Sequence, residues 1–245
     1  MEHKRISSEK EVELKLFCLW GFKDSSGMIV HPCQWTHAHS FSEGLAGVAD
    51  ANGDWGFIDK TGKYVIPSQW KYAHSFSEGL AGVKDANGRW GFIDKTGELV
   101  ISCQWKRLDL SGFREGLCIV VDDNEKWGFI DKMGEVVIPC QWKYALWFSE
   151  GLAAVRDDNG ICGFIDKTGK MVIPCQWGNA LWFSEGLAGV MNDNGKWGFI
   201  DKTGKVVIPY KWNNVQWFRN GEARVQMTWG DSKWLTIDRN GQYVV

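Results

Sequence analysis

Short apolar runs punctuated by turn residues recur along this chain at a fixed interval. Leu80-Ala-Gly-Val-Lys84, Trp90-Gly-Phe-Ile-Asp94 and Glu98-Leu-Val-Ile101 are each strand-sized, and Asp85-Ala-Asn-Gly88 and Lys95-Thr-Gly97 separate them. Asn-Gly tolerates the positive φ of a tight hairpin, and Gly97 suits the left-handed position of a three-residue loop. Two such turns in succession predict a three-stranded antiparallel meander. The stretch from Trp105 to Phe113 returns the chain to the next meander, with room for a short fourth strand.

Within the middle strand the period of two sends Trp90 and Phe92 to one face and Gly91 and Ile93 to the other. Both faces are apolar or small, so each sheet needs cover on both sides, and the neighbouring sheet is the natural cover. Gly91 is expected to let that neighbouring sheet approach closely.

The same pattern returns along the whole chain. Trp-Gly falls at 20, 55, 90, 127 and 197, with Cys162-Gly163 in the gap and Trp234-Leu235 as a worn seventh copy. A second Trp follows fifteen residues after each of the first six: Trp35, Trp70, Trp105, Trp142, Trp177 and Trp212. Two extra residues enter before Phe113 and two more after Glu222, and the register is otherwise kept. A self-similar period of this length marks a repeat architecture. The expectation is an all-β chain of seven units of about 35 residues, antiparallel meanders stacked face to face as an open twisted β-solenoid. A closed seven-bladed β-propeller is the alternative. Residues 1–19 read as a polar N-terminal cap with a degenerate first strand, and 20–245 as the array.

Trp197-Gly-Phe-Ile-Asp-Lys-Thr-Gly-Lys-Val-Val-Ile-Pro209, together with Phe183-Ser-Glu-Gly-Leu-Ala188, resembles the bacterial WG (KWG) β-repeat. The likeness spans roughly residues 20 to 245. It implies a bacterial origin and tandem β-modules, and brings no shared catalytic residue or cofactor. Cys162 for the signature Trp, Ser102 for the usual Pro and the worn unit after Trp234 depart from the pattern. A more distant likeness, in Asn87-Gly-Arg-Trp-Gly-Phe-Ile-Asp-Lys-Thr-Gly97, runs to the cell-wall-binding (choline-binding) repeats.

Charge narrows the function classes. Twenty-eight basic residues face 30 acidic ones with no long run of one sign, so the basic face that nucleic-acid binding needs is missing. Apolar stretches are strand-sized, which argues against membrane insertion by a helix. No signal peptide is read at the N-terminus, so the expected location is cytoplasmic. Seven cysteines, an odd number, fit a reducing compartment.

Candidate chemistry is mostly absorbed by the repeat. Cys33, Cys103, Cys140 and Cys175 occupy one repeat position, too far apart between stacked units for disulfides or a shared zinc. His31, His37, His39 and His74 cluster early, and read as solvated rim residues rather than a metal site. The aspartates opening each Asp-Lys-x-Gly turn and the glutamates preceding each Gly repeat too faithfully to be catalytic. No cofactor or metal is expected, and the chain reads as a binding module rather than an enzyme.

One asymmetry stands out. The residue before the recurring Phe is Ser40 and Ser75 early, but Trp147, Trp182 and Trp217 later. These three, flanked by Leu146 and Leu181 and with Trp229 nearby, form the candidate row on which a binding or scaffold module holds a protein or polymeric partner. The competing reading is that they cover a wider core edge. A cell-envelope or carbohydrate-binding role, with sugars on the aromatic faces, is the alternative function.

Overall fold

A computed structural model describes residues 12–16, 19–228 and 233–244, the first five as backbone. Every element among them is a β-strand, and every pairing is antiparallel. No helix is long and apolar enough to cross a membrane. The chain divides into two compact units: one runs to Asp123 and includes Lys132–Glu135, the other holds Asn124–Asp131 and Val136 onward.

The first unit opens with Val12–Leu16, Leu19–Lys23 and Ile29–Trp35 as a three-stranded sheet. The segment expected to be a polar cap thus includes a paired strand, and its residues 1–11, 17 and 18 lie outside the described residues. Two four-stranded sheets follow, His37–Ala38, Leu45–Ala49, Trp55–Asp59, Tyr64–Trp70 and then Tyr72–Ala73, Ala81–Lys84, Trp90–Ile93, Leu99–Trp105. Arg107–Leu108 then pairs with Leu117–Val121. The second unit begins with Trp127–Asp131 paired to Val136–Trp142. Its two four-stranded sheets start at Tyr144–Ala145 and Asn179–Ala180, and Asn214–Val215, Glu222–Gln226 and Leu235–Asp238 make a final sheet of three. The short fourth strand is therefore real, and it opens the sheet that follows it.

Turn chemistry explains why the strands end where they do. At the second turn, Asp59 Oδ1 accepts hydrogen bonds from the Thr61 amide at 2.8 Å and the Thr61 hydroxyl at 2.6 Å. Gly62 takes the positive φ of 83°. The same cap recurs at Asp94, Asp166 and Asp201. The threonine hydroxyl is the leading cause that holds each of these carboxyls below the ordinary value of 3.8.

The third strand is longer than the expected Glu98–Ile101, and the extension corrects the reading of Gly91. Trp90 lies opposite Trp105 and Phe92 opposite Ile101, so three residues of one strand face a single residue of the other. This irregularity carries the backbone over Gly91: a Cβ there would sit 2.4 Å from the Ile101 carbonyl oxygen and 2.8 Å from the Cys103 amide nitrogen. Gly91 is small for its own sheet, not for the neighbouring one. A Cβ at Gly56, Gly163 or Gly198 would meet the equivalent carbonyl oxygen of its own sheet at 2.5–2.6 Å. All five prolines of the chain lie in these third strands, at positions 32, 67, 139, 174 and 209. In the four-stranded sheets this is an edge strand, where a missing N–H is tolerated and blocks pairing with other chains.

Sheets are joined by a contact of constant geometry. The Phe of each Trp-Gly-Phe packs against the Phe that leads into the following sheet, as in Phe57–Phe76, Phe92–Phe113 and Phe164–Phe183, each with ring centroids 4.9 Å apart. Polar bonds reinforce it. The Ser42 hydroxyl donates to the Phe76 carbonyl at 2.7 Å, and the Glu43 carboxylate accepts from the Gly79 amide at 3.1 Å. Lys95 closes the same glutamate at 3.0 Å. Ser149, Glu150 and Lys202 repeat the device in the second unit. Glu43, Glu78, Glu150 and Glu185 each hold a φ of 51–55°, a conformation that costs a non-glycine residue about 1–3 kcal/mol and here aims the carboxylate at the next sheet.

Two expected outcomes follow from these contacts. Gly91→Ala forces backbone apart and lowers stability by more than about 1–3 kcal/mol, the usual overpacking range, in urea unfolding. The turn aspartates, being lowered in the folded state, contribute stability that is full above pH 4 and lost as pH falls through their folded values. Replacing Thr61, Thr96, Thr168 and Thr203 by Val removes the leading cause and flattens that acid limb of the melting temperature.

Candidate functional site

The tryptophan row lies in the segments that follow the short strands Tyr144–Ala145, Asn179–Ala180 and Asn214–Val215, each Trp just ahead of a buried Phe148, Phe183 or Phe218. Trp147 and Trp182 pack with centroids 4.7 Å apart at 36°, and Trp182 and Trp217 at 4.6 Å and 40°. The three form one continuous stack within the second unit. Trp182 is half-buried with a tryptophan on either side, while Trp217 at the end is 42% exposed. Leu146 and Leu181, expected to flank the row, are half-buried and pack against the apolar core clusters. Trp229 lies outside the described residues. Beside Trp217 opens a hollow of about 330 Å³ lined by Gln216, Arg219, Glu222 and Arg224.

Of the early histidines only His37 is exposed, as a solvated rim residue would be, and His39 is half-buried. His31 and His74 are buried, and the His31 Nε2 lies 2.9 Å from the Lys60 carbonyl oxygen. His39 stacks on Trp55 at 4.7 Å, and His74 lies flat on Trp90 at 4.7 Å with 7° between the rings. Tyr72 bridges the two, 4.9 Å from Trp55 and 5.7 Å from Trp90. No group of three His, Cys, Asp or Glu among the described residues is arranged to hold a metal ion. The cysteines at 33, 103, 118, 140, 162 and 175 form no disulfide among the described residues, and burial pushes the Cys103 thiol up to about 11.

His74 has a signature that the sequence did not show. His39 Nε2 lies 3.2 Å from the Ala73 carbonyl oxygen, but His74 Nε2 is buried with no hydrogen-bond partner. The two extra residues ahead of Phe113 fall at this junction. Burial is the main cause that lowers the imidazole from 6.5 to about 4, with His39 adding to it and Asp109 opposing it. Leaving such a group unpaired costs about 1–3 kcal/mol. At the equivalent positions of the second unit the chain uses Leu146 and Leu181.

Most of the chain matches the family described as the WG containing repeat, over residues 20–52, 55–89, 90–126, 127–160, 163–197 and 197–234. This protein belongs to the WG-repeat family. No curated protein matches it. Among solved structures it is similar to the computationally designed Ika8 protein, at 12% identity and a TM-score of 0.57 over 99% of this chain and 85% of that one. BamB from Moraxella catarrhalis is similar at 10% identity and a TM-score of 0.50, over 96% of this chain and 81% of that one. KlHsv2 with loop 6CD replaced by a Gly-Ser linker gives 7% and 0.52, over 88% and 85%. At these identities the likeness concerns fold alone: an all-β repeat of small antiparallel sheets.

The buried imidazole makes a pH prediction. Because His74 is lowered, the unfolded chain binds a proton that the folded chain refuses, and stability declines as pH falls from 6.5 to about 4. His74→Leu, which copies the solution at Leu146 and Leu181, keeps or raises the melting temperature at neutral pH. It also flattens the decline in that window, which lies above the window of the turn aspartates.

Proposed function

We propose that this chain is a non-catalytic binding or scaffold module that holds a protein partner against Trp147, Trp182 and Trp217. The observation that supports it is the continuous stack of three tryptophans at a position where other repeats carry serine. The fold tolerates Ser40 and Ser75 there, so the row is an addition to the repeat rather than a requirement of it. Clustered Trp is the usual material of interaction hot spots.

Geometry favours a protein partner over a sugar chain. Sugar rings and quaternary ammonium groups use the faces of aromatic rings, and both faces of Trp182 are occupied by its neighbours. What remains is the rim of the stack and the exposed Trp217, an apolar strip suited to a partner's side chains.

Affinity capture from lysate, with the wild-type chain beside a Trp147→Ser, Trp182→Ser, Trp217→Ser variant, tests the reading. The expected result is loss of a specific protein partner with an unchanged thermal melt. For the isolated partner the loss amounts to about 2 kcal/mol or more, roughly thirty-fold in affinity. A variant that unfolds places the row in the core, and one that keeps its partners makes the row incidental. Capture of glycan in place of protein would transfer the site to the carbohydrate class.

A further inference from the structure

The first unit contains a second concavity, unrelated to the tryptophan row. It has a volume of about 370 Å³, and Tyr72, His74, Lys84, Trp90 and Leu110 are among its walls. Three features there have no structural justification in the repeat. His74 is 6% exposed with an unpaired Nε2, although leucine fills the same position in two other repeats. The Lys84 ammonium lies 5.8 Å over the Trp90 ring and takes part in no ion pair, whereas Lys71 beside it is held by Asp54 at 2.7 Å. Leu110, brought in by the two-residue insertion, stands 75% exposed at the rim.

Together these features define a complementary chemistry. An ammonium with no carboxylate partner and a buried imidazole nitrogen call for an anionic hydrogen-bonding group. Tyr72, Trp90 and Leu110 call for a flat or branched apolar body. Asp85, on the same wall, is committed to its turn, where its Oδ1 accepts from the amides of Asn87 at 2.9 Å and Arg89 at 2.8 Å. We infer that this cavity binds a small apolar carboxylate, its acid group held by Lys84 and His74 and its apolar part between Tyr72, Trp90 and Leu110. Two sources share this chemistry: a free aromatic or aliphatic acid, and the C-terminal residue of a peptide. The His74 Nε2 is covered, and the exposed Leu110 is the wall with least packing to lose as the ligand enters. Ligand binding satisfies the imidazole that folding leaves unpaired, which explains why histidine stands where leucine packs.

Isothermal titration of the full chain with phenylacetate and phenylacetamide, and with N-acetyl-glycyl-phenylalanine as acid and as amide, tests the assignment. At least one acid binds with a dissociation constant below about 1 mM, and its amide binds roughly tenfold more weakly or worse. His74→Leu and Lys84→Met each cause a similar loss with intact melts, whereas the Trp147, Trp182, Trp217 triple variant binds as wild type does. Tighter binding of phenylacetate names a free acid as the source, and tighter binding of the dipeptide names a chain terminus. The inference is overturned if acids and amides bind alike, if none binds, or if either single substitution leaves the affinity unchanged.

Discussion

The packing of one small sheet on the next is the constraint from which the rest of this protein follows. The inner strands of the four-stranded sheets are buried on both faces, and the phenylalanine pair that joins successive sheets keeps the same 4.9 Å centroid spacing in both units. The serine hydroxyl, the glutamate at positive φ and the lysine of a later turn are the polar side of that contact. A sheet that buries both faces cannot place function on them. Turns, edges and the residues that link one sheet to the next are the surfaces this packing leaves open to a partner.

The two candidate sites obey that rule. The tryptophan row grows from the linking residue just ahead of the buried Phe. The His74 cavity sits where a linking segment is two residues longer than usual. Both arise where the repeat is imperfect, and this gives the imperfections their meaning. A position that varies between repeats under one packing requirement is released from that requirement. A position that varies toward a costly choice, such as a buried imidazole without a partner, is held by something else.

The strands, turns and period were legible because they are written locally. Asp-x-x-Gly and Asn-Gly specify their turns within a few residues, and the repeat multiplies the signal. What was not legible depends on contacts between distant residues. Gly91 seemed to serve the neighbouring sheet because the extra residues facing it, Ser102 to Gln104, become visible only once the strands are registered. His39 and His74 read as surface residues because stacking on Trp55 and Trp90 brings together side chains 16 positions apart. The glutamate ladder was recognised as structural from its repetition, but its positive φ and its bond to the next sheet required coordinates. The stacking of Trp147, Trp182 and Trp217 was implied by their common repeat position, while the inward packing of Leu146 and Leu181 was not.

The account stands on the separation of a buried, sheet-joining core from a tryptophan row that lies outside it. Fluorine NMR of the chain labelled with 5-fluorotryptophan, assigned by single substitutions and titrated with a soluble paramagnetic agent, measures that separation directly. The account predicts strong broadening of the Trp217 resonance, intermediate broadening of Trp147 and Trp182, and none of the fully buried Trp212. Protection of all three row resonances equal to that of Trp212 would contradict it.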